Sequence, residues 1–124
     1  MCKILIVEDN DHFRQTLRGL LVARFPSMTL EEARDGSEAL EKVSAFDPDL
    51  IFMDIKLPGQ SGLELTKKIR HTNAVVKIII LTSYDLPEYR EAARLGGANH
   101  FVSKGSCKAE EILALVETII SEKK

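Results

Sequence analysis

Five positions carry residue types that could do chemistry together: the pair Glu8-Asp9, then Asp54, Thr82 and Lys104. Each stands at the end of an apolar run. Glu8-Asp9 follow Ile4-Leu5-Ile6-Val7. Asp54 follows Leu50-Ile51-Phe52-Met53. Thr82 follows Ile78-Ile79-Ile80-Leu81, and Lys104 follows Phe101-Val102-Ser103. A carboxylate at the end of a buried strand is costly unless it is paired, bound to a cation or left at a wet rim. Three carboxylates brought close together repel each other and call for a cation. Oxygen-only ligands suit a hard ion, and Mg²⁺ typically takes one or two carboxylates plus water. A lysine and a hydroxyl at the same place would be odd in a plain metal store. They suit an anion: the ammonium pairs one phosphoryl oxygen and the hydroxyl donates to another. The set reads as an edge where a phosphoryl group is placed on one carboxylate with Mg²⁺ beside it.

Convergence of these residues requires a particular sheet. The apolar runs at 4–7, 50–53 and 76–81 are short, β-branched and not alternating, as central parallel strands are when helices cover both faces. Two more polar candidates lie at 29–33 and 99–103. Helical periodicity separates them. Asn10 or Asp11 caps the first helix, with Phe13, Leu17, Leu20 and Leu21 on its apolar face. Gly36-Ser37-Glu38 opens the second, which stops before Asp47-Pro48. Ser61 caps the third, which ends near 71–73. Pro87 opens the fourth, and Gly96-Gly97 end it. The fifth spans about 108–121. Strands and helices thus alternate five times with short connections. This predicts a single α/β domain over 1–124, a doubly wound, flavodoxin-like five-stranded parallel sheet of order 2-1-3-4-5. In that order strands 1 and 3 flank the reversal, and Glu8, Asp9 and Asp54 meet there across more than forty residues of sequence.

Composition limits the partners. Seventeen basic and nineteen acidic residues give a net charge of -2. That balance speaks against direct nucleic-acid binding by this domain. No apolar run reaches the length of a membrane span, and the N-terminal run is too short for a signal peptide, so a cytoplasmic location is expected. Cys2 and Cys107 lack metal-site spacing and are expected as reduced thiols. His12, His71 and His100 are scattered and read as surface histidines. Lys67, Lys68 and Arg70 read as a solvated helix face.

The segments "ILIVEDN", "LIFMDIKLPGQSGLEL", "IIILTSYD" and "HFVSKGS" occur in this order. Together they resemble the receiver domain of two-component response regulators, and the resemblance covers essentially the whole chain. It implies that Asp54 is the phosphoacceptor. Glu8 and Asp9 would organise Mg²⁺ with Asp54, and the backbone carbonyl of Lys56 would be a further ligand. Thr82 would be the switch hydroxyl, Lys104 the phosphate-pairing lysine and Phe101 the aromatic switch residue. The implied partners are a sensor histidine kinase, an output domain or partner protein, and a second copy in a phosphorylation-dependent homodimer. Such a domain is a regulatory phosphoacceptor and not a turnover enzyme.

Some positions depart from the commonest receiver pattern. Gly105 stands where many receivers have proline, and similar non-proline sequences occur in receivers joined to LuxR-type DNA-binding domains. Lys56 and Tyr84 are bulky at positions that border the hydrolytic water in this family, so both are expected to modulate the lifetime of the phosphoryl group from the rim.

Two other readings compete. A Mg²⁺-dependent phosphatase with an aspartate nucleophile typically has a second aspartate two residues on, where this chain has Lys56. A pseudo-receiver would have lost part of the site, yet Glu8, Asp9, Asp54, Thr82 and Lys104 are all present. Read singly, Asp54 could be a cap at a strand end, Glu8-Asp9 helix caps, Thr82 a turn residue, Lys104 a loop lysine and Phe101 plain core.

Overall fold

The computed structural model describes residues 2–122. Strands and helices alternate as β1 (Lys3–Val7), α1 (Asp11–Arg24), β2 (Thr29–Ala33), α2 (Gly36–Phe46), β3 (Leu50–Met53), α3 (Gly62–Thr72), β4 (Lys77–Thr82), α4 (Pro87–Leu95), β5 (His100–Ser103) and α5 (Ala109–Glu122). The strands form one parallel sheet of order β2-β1-β3-β4-β5, as the alternation predicts. β1 pairs with β3 from Ile4 opposite Leu50 to Val7 opposite Met53.

The non-alternating strands have a physical explanation in two cores. Ile4, Ile6, Phe52, Ile79 and Leu81 face one side, against Leu17 and Leu21 of α1 and Ile112, Val116 and Ile119 of α5. Their sequence neighbours Leu5, Val7, Ile51, Met53, Ile78 and Ile80 face the other, against Ala39 of α2, Leu65 and Ile69 of α3 and Ala93 of α4. Successive strand residues point to opposite faces, so both sets must be apolar once both faces are covered.

Helix ends follow local chemistry. The Asn10 side chain accepts from the Phe13 N–H, that of Asp35 from Glu38, and that of Ser61 from Leu63. Each satisfies one of the orphan N–H groups of a first turn. Asp47 ends α2 in the left-handed conformation, just before Pro48. Boundaries differ from the sequence-based expectation by about one residue. Thr82 belongs to β4 because it still pairs with Ser103 of β5. One surface expectation needs correcting. Arg70 is no solvated partner of Lys67 and Lys68: its guanidinium donates to the carbonyls of Gly97, Asn73 and Val76 and to Asn99 Oδ1. It ties α3 to the turns before β4 and β5, which sequence periodicity does not reveal.

Gly62 opens α3 against the segment that follows β3. Its N–H donates to the Ile55 carbonyl at 2.7 Å. A Cβ there would lie 1.8 Å from the Asp54 carbonyl oxygen and 3.1 Å from Ile55 Cα. Both are backbone atoms and have no rotamer to yield. Gly19, in the exposed part of α1, would meet nothing within 4 Å. The two glycines therefore separate close approach from helix propensity. Gly62→Ala is expected to lower stability by roughly 3 kcal/mol or more, at the upper end of overpacking costs. Gly19→Ala is expected to raise it by about 0.5–1 kcal/mol. Urea unfolding of both variants checks the pair, and equal effects would contradict this account.

Candidate functional site

Glu8, Asp54 and Lys104 each occupy the first position after a strand or directly beside its end, and each is still tied to the neighbouring strand. The Glu8 N–H donates to the Ala33 carbonyl, that of Asp54 to Val7, and that of Lys104 to Thr82. The sheet ladder thus sets the backbone of all three. The reversal of strand order between β1 and β3 brings the first two side by side.

The side chains converge as expected. Glu8, Asp9 and Asp54 each offer a carboxylate oxygen, and these oxygens lie within 4.8 Å of one another. Glu8 is 3% exposed and Asp54 7%, whereas Asp9 lies open at the rim. Lys104 reaches over from the loop after β5. Its Nζ lies 2.6 Å from Glu8 Oε1 and 3.3 Å from Asp54 Oδ2. The remaining oxygens are held by the backbone. Asp54 Oδ1 accepts from the Ile55 N–H at 2.8 Å, and Glu8 Oε2 from the Asn10 N–H at 3.1 Å.

The electrostatics are those of a crowded acidic edge. Burial raises the Glu8 carboxyl above the ordinary glutamate range. The nearby Asp54 charge pushes the same way, while the Lys104 hydrogen bond and the Asn10 N–H oppose both. One ammonium faces three carboxylates. A hard oxygen donor set with surplus negative charge fits a small divalent cation.

Thr82 is fully buried at the end of β4, and its Oγ1 accepts from the Tyr84 N–H at 3.3 Å. Phe101 is half-buried on β5. It packs in part against the core shared with α4, and the Arg90 guanidinium lies 4.7 Å from its ring centroid. Lys56 pairs its backbone with Ser61 across the loop after β3. Its ammonium lies 5.2 Å from the Tyr84 ring centroid and 6.0 Å from that of Tyr89. The Lys104–Gly105 peptide is trans.

Sequence reasoning missed several contributors. Tyr89 meets Tyr84 edge to face at 6.3 Å and completes the rim around Lys56. Arg14, buried in α1, donates to the Glu8 carbonyl at 2.9 Å and to Glu32 at 2.8 Å. Phe13 lies under the Lys104 ammonium, 4.1 Å from its ring centroid. These residues have no motif, and their periodicity marks them only as helix. His12, His71 and His100 are exposed and take no part. Among the described residues no disulfide joins Cys2 and Cys107.

Comparison with known proteins places this geometry. The family model described as "Response regulator receiver domain" matches residues 4–117. The chain is 35% identical over 122 residues to the transcriptional regulatory protein LnrK of Bacillus subtilis, covering 98% of this chain and 54% of that protein. It is 35% identical over 102 residues to the chemotaxis protein CheY of Halobacterium salinarum, covering 82% and 83% of the two chains. The structure superposes on a LuxR-family two-component response regulator from Aurantimonas sp. with a TM-score of 0.88, at 30% identity over 98% of this chain and 86% of that one. The chain spans 34% and 54% of the length of the first two curated relatives it matches. With the family model matching residues 4–117 and the sheet in order 2-1-3-4-5, this chain belongs to the receiver domains of two-component response regulators.

Proposed function

We propose that this domain takes a phosphoryl group from the phosphohistidine of a sensor kinase onto Asp54 and uses it to change the face formed by α4, β5 and α5. The observation that carries this reading is the pairing of Lys104 with both Glu8 and Asp54 at the strand reversal. An Asp54 oxygen attacks phosphorus in line with the bond to the donor imidazole. The new O–P bond makes an acyl phosphate. The P–N bond breaks, and its electron pair returns to the imidazole. Lys104 offsets the charge on a phosphoryl oxygen as it shifts from Glu8. Glu8, Asp9, Asp54 and the Lys56 carbonyl would hold Mg²⁺, which supplies charge neutralisation for the incoming phosphoryl oxygens. Thr82 then turns its hydroxyl to the phosphoryl group and carries the loop after β4 with it. Phe101 repacks beneath Arg90. This is a two-state equilibrium biased by a covalent charge.

The output lies outside this domain's own chemistry. LnrK is described as a transcriptional regulator and the Aurantimonas protein as a LuxR-family response regulator. That supports a cytoplasmic protein in which the domain controls an attached DNA-binding unit, itself making no nucleic-acid contact. The face of α4, β5 and α5 would serve an output partner or a phosphorylation-dependent homodimer. No described helix is long and apolar enough to cross a membrane.

Intact-protein mass after incubation with acetyl phosphate tests the reading. One Mg²⁺-dependent phosphoryl addition is expected for the wild type and none for Asp54→Ala. Absence of any addition, with acetyl phosphate or with histidine kinases, would favour a pseudo-receiver.

A second prediction concerns pH. Glu8 must be ionised to hold a cation. A carboxyl whose folded pKa is raised adds stability that is complete below its unfolded value, about 4.3, and is lost as pH rises through the folded value. Acidification therefore relieves the metal-free fold of the buried Glu8 charge and weakens Mg²⁺ binding at the same time. The Mg²⁺-induced rise in Tm is expected to be clear near neutral pH and to shrink as pH falls through the raised Glu8 titration. Glu8→Gln should show little Mg²⁺ response across this range. A response in that variant equal to wild type would remove Glu8 from the ligand set.

The third concerns the rim. The Lys56 ammonium lies 5.2 Å from the Tyr84 ring centroid, and the two residues are proposed to stand at the rim of the site and keep hydrolytic water from the acyl phosphate. Lys56→Ala and Tyr84→Ala are each expected to shorten the phosphoryl half-life roughly two- to tenfold, as a loss of about 0.4–1.4 kcal/mol of barrier would. Unchanged half-lives would exclude this role.

A further inference from the structure

Lys104 has a third contact that no carboxylate supplies. Its ammonium lies 4.1 Å from the centroid of the Phe13 ring, within cation–π range. The lysine side chain is 15% exposed, so this contact is largely shielded from water. The space enclosed by Glu8, Phe13, Leu17, Phe52, Asp54 and Leu81 is too small to hold a water molecule. Phe13 therefore forms part of the inner wall beside Glu8 and Asp54, and the quadrupole of its face acts on an ammonium that is largely shielded from solvent.

The other two contacts are altered by the proposed reaction. Glu8, at 2.6 Å, is in the ligand set proposed for the cation, and Asp54, at 3.3 Å, is the carboxylate that becomes the acyl phosphate. Lysine is a point charge on a flexible four-carbon stem. During the proposed reaction the ammonium passes from these carboxylates to a phosphoryl oxygen, and a fixed contact keeps it aligned while its ionic partners change. Phe13 does not change during the reaction. Its N–H is capped by Asn10 Oδ1 at 2.9 Å, and its ring packs against the core beneath β1 and β3.

We infer that Phe13 is a positioning residue for phosphoryl transfer, holding the Lys104 ammonium by a cation–π contact at the point where the phosphoryl oxygens arrive. The inference rests on the receiver reading given above. The test compares wild type with Phe13→Leu, which fills similar apolar volume without a π-face, and Phe13→Tyr, which restores the face. Two quantities are measured: the rate of phosphorylation by acetyl phosphate, and the chemical shift of the Lys104 ε-CH₂ protons, assigned by their loss in Lys104→Gln. In the wild type those protons are expected upfield of the other lysines, through the ring current, both before and after phosphorylation. Phe13→Leu is expected to lose the upfield shift and to react roughly tenfold more slowly, the effect of one desolvated cation–π contact. Phe13→Tyr is expected to keep both shift and rate. A loss of rate without a change in the lysine signal would mark a merely structural residue, and so would slow reaction of Phe13→Tyr. A wild-type rate in Phe13→Leu would overturn the inference while leaving the receiver reading intact. A wild-type protein that takes up no phosphoryl group from any donor would overturn both.

Discussion

The buried ion pair of Lys104 with Glu8 and Asp54 is the constraint on which the rest of the molecule is arranged. Two nearly buried carboxylates within a few ångströms lose most of their hydration and repel each other. Their desolvation is expensive, and one ammonium only partly offsets it. The residual cost is visible in the raised titration of Glu8. A fold selected for stability alone would replace these charges by apolar residues. The proposed function explains why the cost is retained: an under-neutralised carboxylate cluster attracts a cation, and an ammonium already in place receives an anion.

Holding such a cluster requires a rigid support, and the parallel sheet provides it. Residues just past β1 and β3 keep one further ladder bond to their neighbours, so neither Glu8 nor Asp54 sits on a free loop. Arg14 closes the chain after β1 from below by bonding the Glu8 carbonyl, and Gly62 lets α3 pack onto the backbone of Asp54 and Ile55. The apolar layers on both faces supply the stability against which the acidic edge is set.

Above the site the connections are looser and suited to change. Lys56 lies over Tyr84 and Tyr89, joining the loop after β3 to the loop after β4 and to α4. Asp85 in that loop pairs with Arg90, which in turn lies over Phe101. These contacts are exposed pairs and ring contacts of modest individual strength. A shift of Thr82 toward Asp54 would reach Phe101 both through the sheet and through this outer chain, without disturbing the cores.

The fold and the convergence of the strand-end residues were legible in the sequence because both depend on simple periodicities and on strand order. Continuous β-branched runs mean strands covered on both faces. Alternation with capped helices means a parallel sheet, and the strand order places Glu8, Asp9, Asp54, Thr82 and Lys104 on one edge. Asn10, Ser61 and Pro87 marked their helix starts because capping is a local interaction. The partners that complete the site were not legible, since they depend on which helix face meets which strand end. Phe13 and Arg14 read only as successive residues of a helix, yet one lies beneath Lys104 and the other bonds the Glu8 carbonyl. Tyr89, inside the fourth helix, carried no signal of its edge-to-face contact with Tyr84. Arg70 read as surface charge and joins the turns before β4 and β5. Sequence by itself determined which groups could react, because that is a matter of residue type and strand position. Only the tertiary structure decided what shields, orients and tethers them, because those contacts form between segments that only packing brings together.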